Sequence, residues 1–452
     1  MVIQLVLEYI QNILKGMNNM YSRDFLNFIE KAKTPFHAVE GLSKLLDNNG
    51  YIRLLESEKW DIELGGKYYV VKNNSSLIAF QVPTDISDLS FNITASHTDS
   101  PTFKVKPNHT LESMAKTIGL SLETYGGTIY SSWLDRPLSV AGRVVYKDGE
   151  KLVTKLVDIN RPLCVIPNVA IHQNRTVNDG YKYNPAIDMV ALYGRSGCDK
   201  LEDVICNEYS LARESVYGME LYVYNYHRGT LFGVNNEFIS APQIDNLECA
   251  YLSMEAFIQS HNNKSCNVYA TFDNEEVGSG SKQGALSTFL HDVLRRLTRS
   301  LGIKCEGFDM ALAKSFMVSC DNAHAVHPNQ PGLCDKLNSV YMNEGIVIKT
   351  NTNLSYTTDA VSQALFTSIL DEAKVKWQVF ANRSDTRGGS TLGHLSASQV
   401  SIDSIDIGLA QLAMHSASEV AAVSDMLMMV EGLKAFYNKH LTKDSENNFL
   451  VK

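Results

Sequence analysis

The sequence lacks three features that would place it in a membrane, nucleic-acid-binding or disulfide-stabilised class. No stretch approaches the roughly 20 apolar residues that a membrane-spanning helix needs. The net charge of −9 leaves no excess of positive charge to attract a phosphate backbone. The eight cysteines include no CxxC pair. We therefore expect reduced thiols in a cytoplasmic protein that binds neither nucleic acid nor membrane.

Targeting signals and internal repeats are also missing. Gln4, Glu8 and Gln11 interrupt the apolar run at residues 1–14, and no basic residue precedes it. The run therefore predicts an amphipathic helix and not a secretory signal. The alternative is that translation begins at Met17 or Met20, and that the residues before it are an over-extended start. At 452 residues the chain is too long for one ordinary core, so we expect two domains.

What the sequence does contain is a recurring pattern of an apolar strand that ends at a histidine or an acidic residue. In residues 89–97 every second position is apolar until the pattern reaches His97, and residues 316–320 run into Asp321 in the same way. Strands that alternate with helices predict an α/β fold with a mostly parallel central sheet flanked by helices. We predict helices at residues 246–260, 284–301, 358–374 and 416–439, the last opening on the capping-box pattern Ser416-x-x-Glu419.

A central stretch does not follow this alternation of strands and helices. Residues 106–237 are richer in short β-like runs separated by glycine turns, which predicts a β-rich domain inserted into the α/β domain. The α/β domain is then discontinuous and comprises residues 1–105 and 238–452. The β-like runs lie at residues 128–130, 138–146, 151–157 and 220–224.

The histidines and carboxylates at the strand ends are the donors of a site for two divalent cations. Such a pair needs a shared carboxylate, and Asp245, which follows a proline and precedes a helix, is the candidate. His97 and Asp321 would complete the coordination of one cation, and Glu276 and His415 would complete that of the other. Taken singly, each motif has an ordinary explanation as a solvated acidic turn or a core histidine, but the joint pattern favours a metal site.

Two further carboxylates have roles beside the metals. Asp99 can accept the proton on the second ring nitrogen of His97 and so fix its tautomer. If the strand pleat continues, Glu275 and Glu276 point to opposite sides. One of them would then bind metal while the other acts as general base.

At these residues the chain resembles the M18 family of metallo-aminopeptidases, most closely the aspartyl aminopeptidase branch. The matching motifs occur in family order between about residues 22 and 439. They are Pro35-Phe-His-Ala-Val39, Glu58-Lys-Trp60, His97-Thr-Asp-Ser-Pro101, Glu123-Thr-Tyr-Gly-Gly127, Asp135-Arg136, Asn274-Glu-Glu-Val-Gly-Ser279, Ala323-His-Ala-Val-His-Pro328 and Gln411-Leu-Ala-Met-His415.

The resemblance implies a zinc-peptidase-like fold and removal of N-terminal residues from peptides by a metal-activated water. It implies two zinc-type ions, with manganese or cobalt as alternatives, and Glu275 as the general base. Asp245 would bridge the ions. The implied ligands are His97, Asp245, Glu276, Asp321 and His415.

The resemblance also implies an assembly. The inserted domain would form dimers that build a tetrahedral dodecamer enclosing the active sites. A histidine of the inserted domain would reach the site of a neighbouring subunit and steady the oxyanion, and His172 is the candidate. Its alternative is a structural histidine at a dimer contact.

Substrate preference rests on fewer residues. Lys349 matches a family lysine that pairs with an acidic substrate side chain, and Tyr356 is a further pocket candidate. Two departures affect the same pocket: His394 stands where close relatives tend to have proline, and Arg387 precedes the glycine pair. A preference for leucine-type residues therefore stays open.

Two other functions fit the same residues. A two-metal deacylase or phosphodiesterase would use the same ligand set, and an unblocked N-terminus on the substrate separates the peptidase from it. A non-catalytic shell or cargo protein with the same fold would be expected to have lost ligands, whereas all five are present here.

Overall fold

The computed structural model describes residues 16, 17, 20–386, 388–446 and 448–452. The amphipathic helix predicted at residues 1–14 lies outside the described residues, and so does Arg387. None of the helices in these ranges is long and apolar enough to cross a membrane.

Helices and strands alternate through most of the chain. The helices are α1 (20–29), α2 (Pro35–Asn48), α3 (Pro185–Asp188), α4 (Leu201–Glu208), α5 (Ile244–Ile258), α6 (Phe289–Ser300), α7 (Cys305–Ala313), α8 (Ala360–Ala373), α9 (Leu392–Val400) and α10 (Val423–Tyr437). The strands are β1 (Ile52–Leu54), β2 (Lys67–Lys72), β3 (Ser76–Gln81), β4 (Ser90–His97), β5 (Thr102–Glu112), β6 (Thr117–Tyr125), β7 (Leu138–Asp148), β8 (Lys151–Asp158), β9 (Ala191–Arg195), β10 (Val216–Asn225), β11 (Thr230–Phe232), β12 (Phe238–Ala241), β13 (Ser265–Phe272), β14 (Phe316–Cys320), β15 (Ala323–His324), β16 (Ile346–Thr350), β17 (Trp377–Ala381), β18 (Asp403–Gly408), β19 (Ala410–Leu412), β20 (Glu419–Ala422), β21 (Leu441–Ser445) and β22 (Asn448–Val451).

A nine-stranded sheet forms the centre, in the order β1-β2-β3-β13-β4-β14-β18-β16-β17. Its middle strands β13, β4, β14 and β18 are mutually parallel, and β3 and β16 pair antiparallel at their flanks. The predicted α/β architecture with a largely parallel central sheet is confirmed. All eight residues of β4 are buried, as expected for a strand covered on both faces.

Helices cover both faces of this sheet. Side chains of α1, α2, α5, α8 and α10 pack on one face in one hydrophobic core. Those of α6, α7 and α9 pack on the other face in a second core. Successive residues of one strand enter different cores, as Val268 and Tyr269 of β13 do, because successive side chains point to opposite faces. This sandwich fixes the strand ends that carry the site.

Two smaller sheets complete the fold. An antiparallel six-stranded sheet in the order β8-β7-β10-β5-β6-β9 has a hydrophobic core of its own and is formed by strands between Thr102 and Asn225. A five-stranded sheet, β11-β12-β20-β19-β15, lies outside all four predicted β-like runs. The division of the chain into domains at residues 106 and 237 stays a prediction.

Several predicted elements need correction. The helix predicted from residue 416 begins at Val423, and residues 419–422 form β20 instead. The helix predicted from residue 284 begins at Phe289. The β-like run at residues 128–130 is wrong, because Tyr130 begins a short 3-10 turn. In each case a local pattern of three or four residues was weaker than the tertiary contacts of the segment.

Candidate metal centre

Three neighbouring parallel strands deliver polar residues to one edge of the central sheet. His97 is the last residue of β4 and lies opposite Phe272, the last residue of β13, so the acidic turn after β13 begins beside it. Asp321 directly follows β14, on the other side of β4. The carboxyl ends of parallel strands share an edge, which is where ligands bind in open α/β sheets.

Asp245, at the start of α5, lies between the two histidines. One of its carboxylate oxygens is 3.5 Å from His97 Nε2 and the other is 3.3 Å from His415 Nε2. Two donors that each lie about 2.0 Å from a tetrahedral zinc ion are about 3.3 Å apart. The carboxylate is buried, and its Oδ1 atom has no hydrogen-bond partner among the residues that the structure describes. An orphaned buried oxygen between two imidazoles fits a carboxylate shared by two cations.

The remaining donors complete a cluster on each side of Asp245. Asp321 Oδ1 lies 3.6 Å from His97 Nε2, and Glu276 Oε2 lies 3.6 Å from His415 Nε2. In each cluster of three donors, the nearest ligand atoms all lie within 4.8 Å of one another. Imidazole nitrogens and carboxylate oxygens are the donors that zinc takes in catalytic sites, so the residues present fit the metal.

The clusters carry more negative than positive charge. Burial raises the pKa of Glu275 above its ordinary value, and although His97 opposes this change, the nearby Asp321 carboxylate adds to it. The pKa of Glu276 is raised as well, first by burial and then by the charge of Asp245. Crowded acidic groups of this kind are stabilised in their charged form by nearby cations.

Both histidines present their Nε2 atoms to the clusters. The Nδ1 atom of His97 lies 3.0 Å from the backbone oxygen of Asp99, and Nδ1 of His415 lies 3.1 Å from the backbone oxygen of Gly127. A carbonyl oxygen can only accept, so each Nδ1 carries the proton. In the neutral imidazole this arrangement leaves each Nε2 without a proton and free to bind metal.

Asp99 contacts His97 differently from the sequence expectation. Its backbone oxygen makes the shorter contact with the ring, while its carboxylate is 3.4 Å away. The carboxylate accepts the backbone N–H groups of Glu275 and Glu276, both at 3.1 Å, and the hydroxyl of Tyr125 at 2.8 Å. Asp99 therefore fixes the acidic turn as well as the ring.

The expectation that Glu275 and Glu276 point to opposite sides is wrong. The strand ends at Phe272, and residues Glu275–Val277 form a 3-10 turn between Asn274 and Gly278, both with positive φ. The two carboxylates share a cluster with His97 as a result. The turn replaces the pleat because Asp99 accepts both of its N–H groups.

Glu419 is a site residue that the sequence did not indicate. Its motif predicted a helix cap, but its side chain is buried and accepts the backbone N–H of Asp245 at 3.0 Å and that of His415 at 2.6 Å. Burial raises the pKa of Glu419, and the nearby Asp245 charge adds to that effect. The only sequence signal was an acidic residue four positions after a candidate ligand.

The clusters open into a cavity of about 370 Å³ that is also lined by Lys349 and Tyr356. Lys349 is only 2% exposed, so it is not an ordinary surface lysine. Its ammonium donates to the backbone oxygen of Asn322 at 2.9 Å, lies 3.4 Å from Asp321 Oδ2 and stands 5.3 Å from the centre of the Tyr356 ring. Burial opposes the charge of Lys349, but Asp321 and Tyr356 outweigh it and raise its pKa.

The other predicted residues lie apart from this cavity. His172 is exposed, in a loop of the segment between β8 and β9, and does not line the cavity of its own chain. His394 is half-buried in the first turn of α9 and does not line the cavity either. His324, which the sequence left without a role, does line it.

Sequence comparison finds relatives over nearly the whole chain. The family model described as "Aminopeptidase I zinc metalloprotease (M18)" matches residues 28–437. A "Probable M18 family aminopeptidase 2" of Clostridium novyi is 43% identical over 428 residues, which covers 92% of this chain and 98% of the relative. A protein of the same description from Pseudomonas paraeruginosa is 37% identical over 424 residues, covering 92% of this chain and 97% of the relative.

Structure comparison agrees with these matches. Ape4, in a structure of its complex with Nbr1, is 33% identical with a TM-score of 0.90, and the match covers 94% of this chain and 86% of that one. The S. cerevisiae mApe1 dodecamer is 26% identical with a TM-score of 0.82, and covers 93% of this chain and 97% of that one.

Proposed function

Since the chain belongs to the M18 family of zinc metallo-aminopeptidases, it is a hydrolase of peptide bonds, and we propose that it removes acidic N-terminal residues from peptides with a pair of metal ions. The observation that carries the proposal is the position of Asp245, with one carboxylate oxygen facing each histidine.

In this proposal His97, Asp245 and Asp321 hold one ion, and Asp245, Glu276 and His415 hold the other. Zinc is the metal in the family's description, and manganese or cobalt could take the same donors. Bound there, the ions would lower the pKa of a water and polarise the carbonyl of the scissile bond.

Glu275 is the proposed general base. It belongs to the cluster with His97 and Glu276 but is not needed for either of the two metal triads around Asp245. Its carboxylate takes a proton from the attacking water and later gives it to the leaving amino group. Asp99 holds the turn on which Glu275 lies, and so aims that carboxylate into the cavity.

Lys349 is the proposed determinant of an acidic preference, with Tyr356 beside it. A buried ammonium in the cavity favours a negatively charged substrate side chain and disfavours a neutral one. Lys349 also contacts Asp321, and that carboxylate already compensates part of the ammonium charge. A leucine-type preference is therefore the second candidate.

We also propose that the protein acts in the cytoplasm as a homo-oligomer, a tetrahedral dodecamer built from dimers. One structural relative is a dodecamer, and His172 is exposed and so available to a neighbouring subunit. In the assembly His172 would donate a hydrogen bond to the oxyanion. The inserted region, residues 106–237, would supply the dimer contacts.

A panel of fluorogenic aminoacyl substrates tests the substrate proposal. The purified protein is assayed with zinc, manganese or cobalt on aspartyl, glutamyl, leucyl and N-acetyl-aspartyl derivatives. We expect release from the aspartyl and glutamyl derivatives and none from the acetylated one. Equal rates on the leucyl derivative would overturn the acidic preference, and release of acetate from the acetylated one would indicate a deacylase. No hydrolysis with any metal would favour a shell or cargo protein.

A further inference from the structure

A single buried carboxylate connects two proposed metal ligands through their backbones. Glu419 Oε2 accepts the N–H of Asp245 at 3.0 Å, and Glu419 Oε1 accepts the N–H of His415 at 2.6 Å. Asp245 is the second residue of α5, whereas His415 lies in the loop between β19 and β20, so the two ligands come from different parts of the chain. Glu419 itself is 1% exposed, so bulk solvent does not reach its carboxylate.

The backbone of His415 needs such support. Its φ of 68° lies in the left-handed region, which only a few per cent of residues other than glycine adopt. Its backbone oxygen accepts the N–H of Ile129 at 3.0 Å, while its N–H donates to Glu419. Residues held in this region persist when the surrounding structure fixes them from several sides.

The two N–H groups that Glu419 accepts limit which side chain position 419 can have. Each partner is a backbone N–H, which can only donate, so both side-chain oxygens must accept. A carboxylate meets this demand, but an amide of the same shape does not, because its NH₂ group would face an N–H. A buried donor without an acceptor is costly.

We propose that Glu419 is a positioning residue that sets the separation of Asp245 and His415 and thereby the affinity of the site for zinc. The inference rests on the proposed metal centre. It assigns Glu419 no contact with metal or substrate. Partners that orient metal ligands typically change metal affinity by about 10- to 100-fold when they are removed.

Zinc affinity of the variant Glu419→Gln, measured by competition with a chelator of known affinity, tests this role. We expect affinity to fall by about 10- to 100-fold at the site that contains His415. The measurement uses zinc alone and needs no substrate.

Asp425→Asn is the matched control. Asp425 is also fully buried, and its two oxygens accept the backbone N–H groups of Asn343 at 2.7 Å and Gly345 at 2.9 Å. The change therefore imposes the same donor-against-donor conflict without touching a proposed ligand. We expect a comparable loss of thermal stability in both variants, but wild-type zinc affinity in Asp425→Asn only.

The outcomes separate the inference from its premise. If the wild-type protein binds no zinc, the proposed metal centre itself is wrong. If the wild type binds and Glu419→Gln binds equally well, or if Asp425→Asn loses as much affinity, the positioning role is wrong. Should Glu419→Gln fail to fold, Glu419→Asp keeps both acceptors on a shorter side chain, and its zinc affinity must then also fall below that of the wild type.

Discussion

The two sides of the active-site cavity are built in different ways. On the metal side, His97, Asp321 and the acidic turn at Glu275 follow directly from adjacent strand ends. On the opposite side, Tyr356 and Thr391 lie on separate loops. The sheet itself thus places His97, Asp321 and the acidic turn, while Asp245 and His415 come from the start of a helix and from a loop. The opposite side depends on a contact that joins two loops.

Asp406 makes that contact. It is fully buried in β18 and accepts the backbone N–H and the hydroxyl of Thr357 at 2.6 and 2.8 Å, and the hydroxyl of Thr391 at 2.6 Å. A Cβ at Gly393 would lie 2.5 Å from its Oδ1 atom, so only glycine allows α9 to pack this closely. We therefore expect substitutions on the two sides of the cavity to affect the rate of reaction and the choice of substrate to different degrees.

The largest effect should come from Glu275→Gln. The amide cannot accept a proton, and the loss of a general base typically costs 10²- to 10⁴-fold in rate. We expect kcat to fall by about that factor with zinc content unchanged, because neither metal triad around Asp245 needs Glu275. Steady-state kinetics together with metal analysis check this. A near wild-type kcat would show that the base lies elsewhere.

Lys349→Met should alter selectivity more than chemistry. The change keeps the length of the side chain and removes its charge, which is worth about 1.5–3 kcal/mol in a hydrogen bond to a charged group. We expect kcat/KM on aspartyl substrates to fall about 10- to 150-fold and the leucyl rate to change little. If the aspartyl and leucyl rates fall equally, the charge of Lys349 stabilises Asp321 and does not bind the substrate side chain.

Two substitutions at Asp406 sharpen the comparison further. Asp406→Ala removes the link between the two loops, and we expect KM to rise about tenfold with a smaller change in kcat. Asp406→Asn should stay close to wild type, because the Thr391 hydroxyl can reverse and accept from the amide. Kinetics of both variants provide the check. An equal rise in KM in the two variants would mean that the negative charge of Asp406, and not its hydrogen bonds to both loops, supports substrate binding.

The smallest effect should come from Asp359→Ala, which affects neither side. Asp359 caps α8 and forms a reciprocal capping box with Ser362. Its removal should lower the free energy of unfolding by about 1 kcal/mol, measured by urea denaturation, with kcat/KM unchanged. A change in kcat/KM would show that the cavity responds to any loss of stability, and the other variants would need to be compared with this one.

The sequence predicted the elements with strong periodicity and the residues at their ends. Strand β4 and His97 are examples, because alternation and a polar terminus lie within one short segment. Glu419 and Asp406 could not be predicted, because each has a partner that is distant along the chain, Asp245 for Glu419 and Thr357 for Asp406. Glu419 even matched a helix-cap pattern, since three or four residues carry no information about the N–H groups of Asp245 and His415.

The order of the donors along the chain has a consequence for biosynthesis. His97 leaves the ribosome early, whereas His415 lies close to the end of the sequence. If the proposed centre is right, a nascent chain lacks one of its two histidines until residue 415 has been translated. The proposed centre can therefore form only after both the early strand end and the late loop have been synthesised.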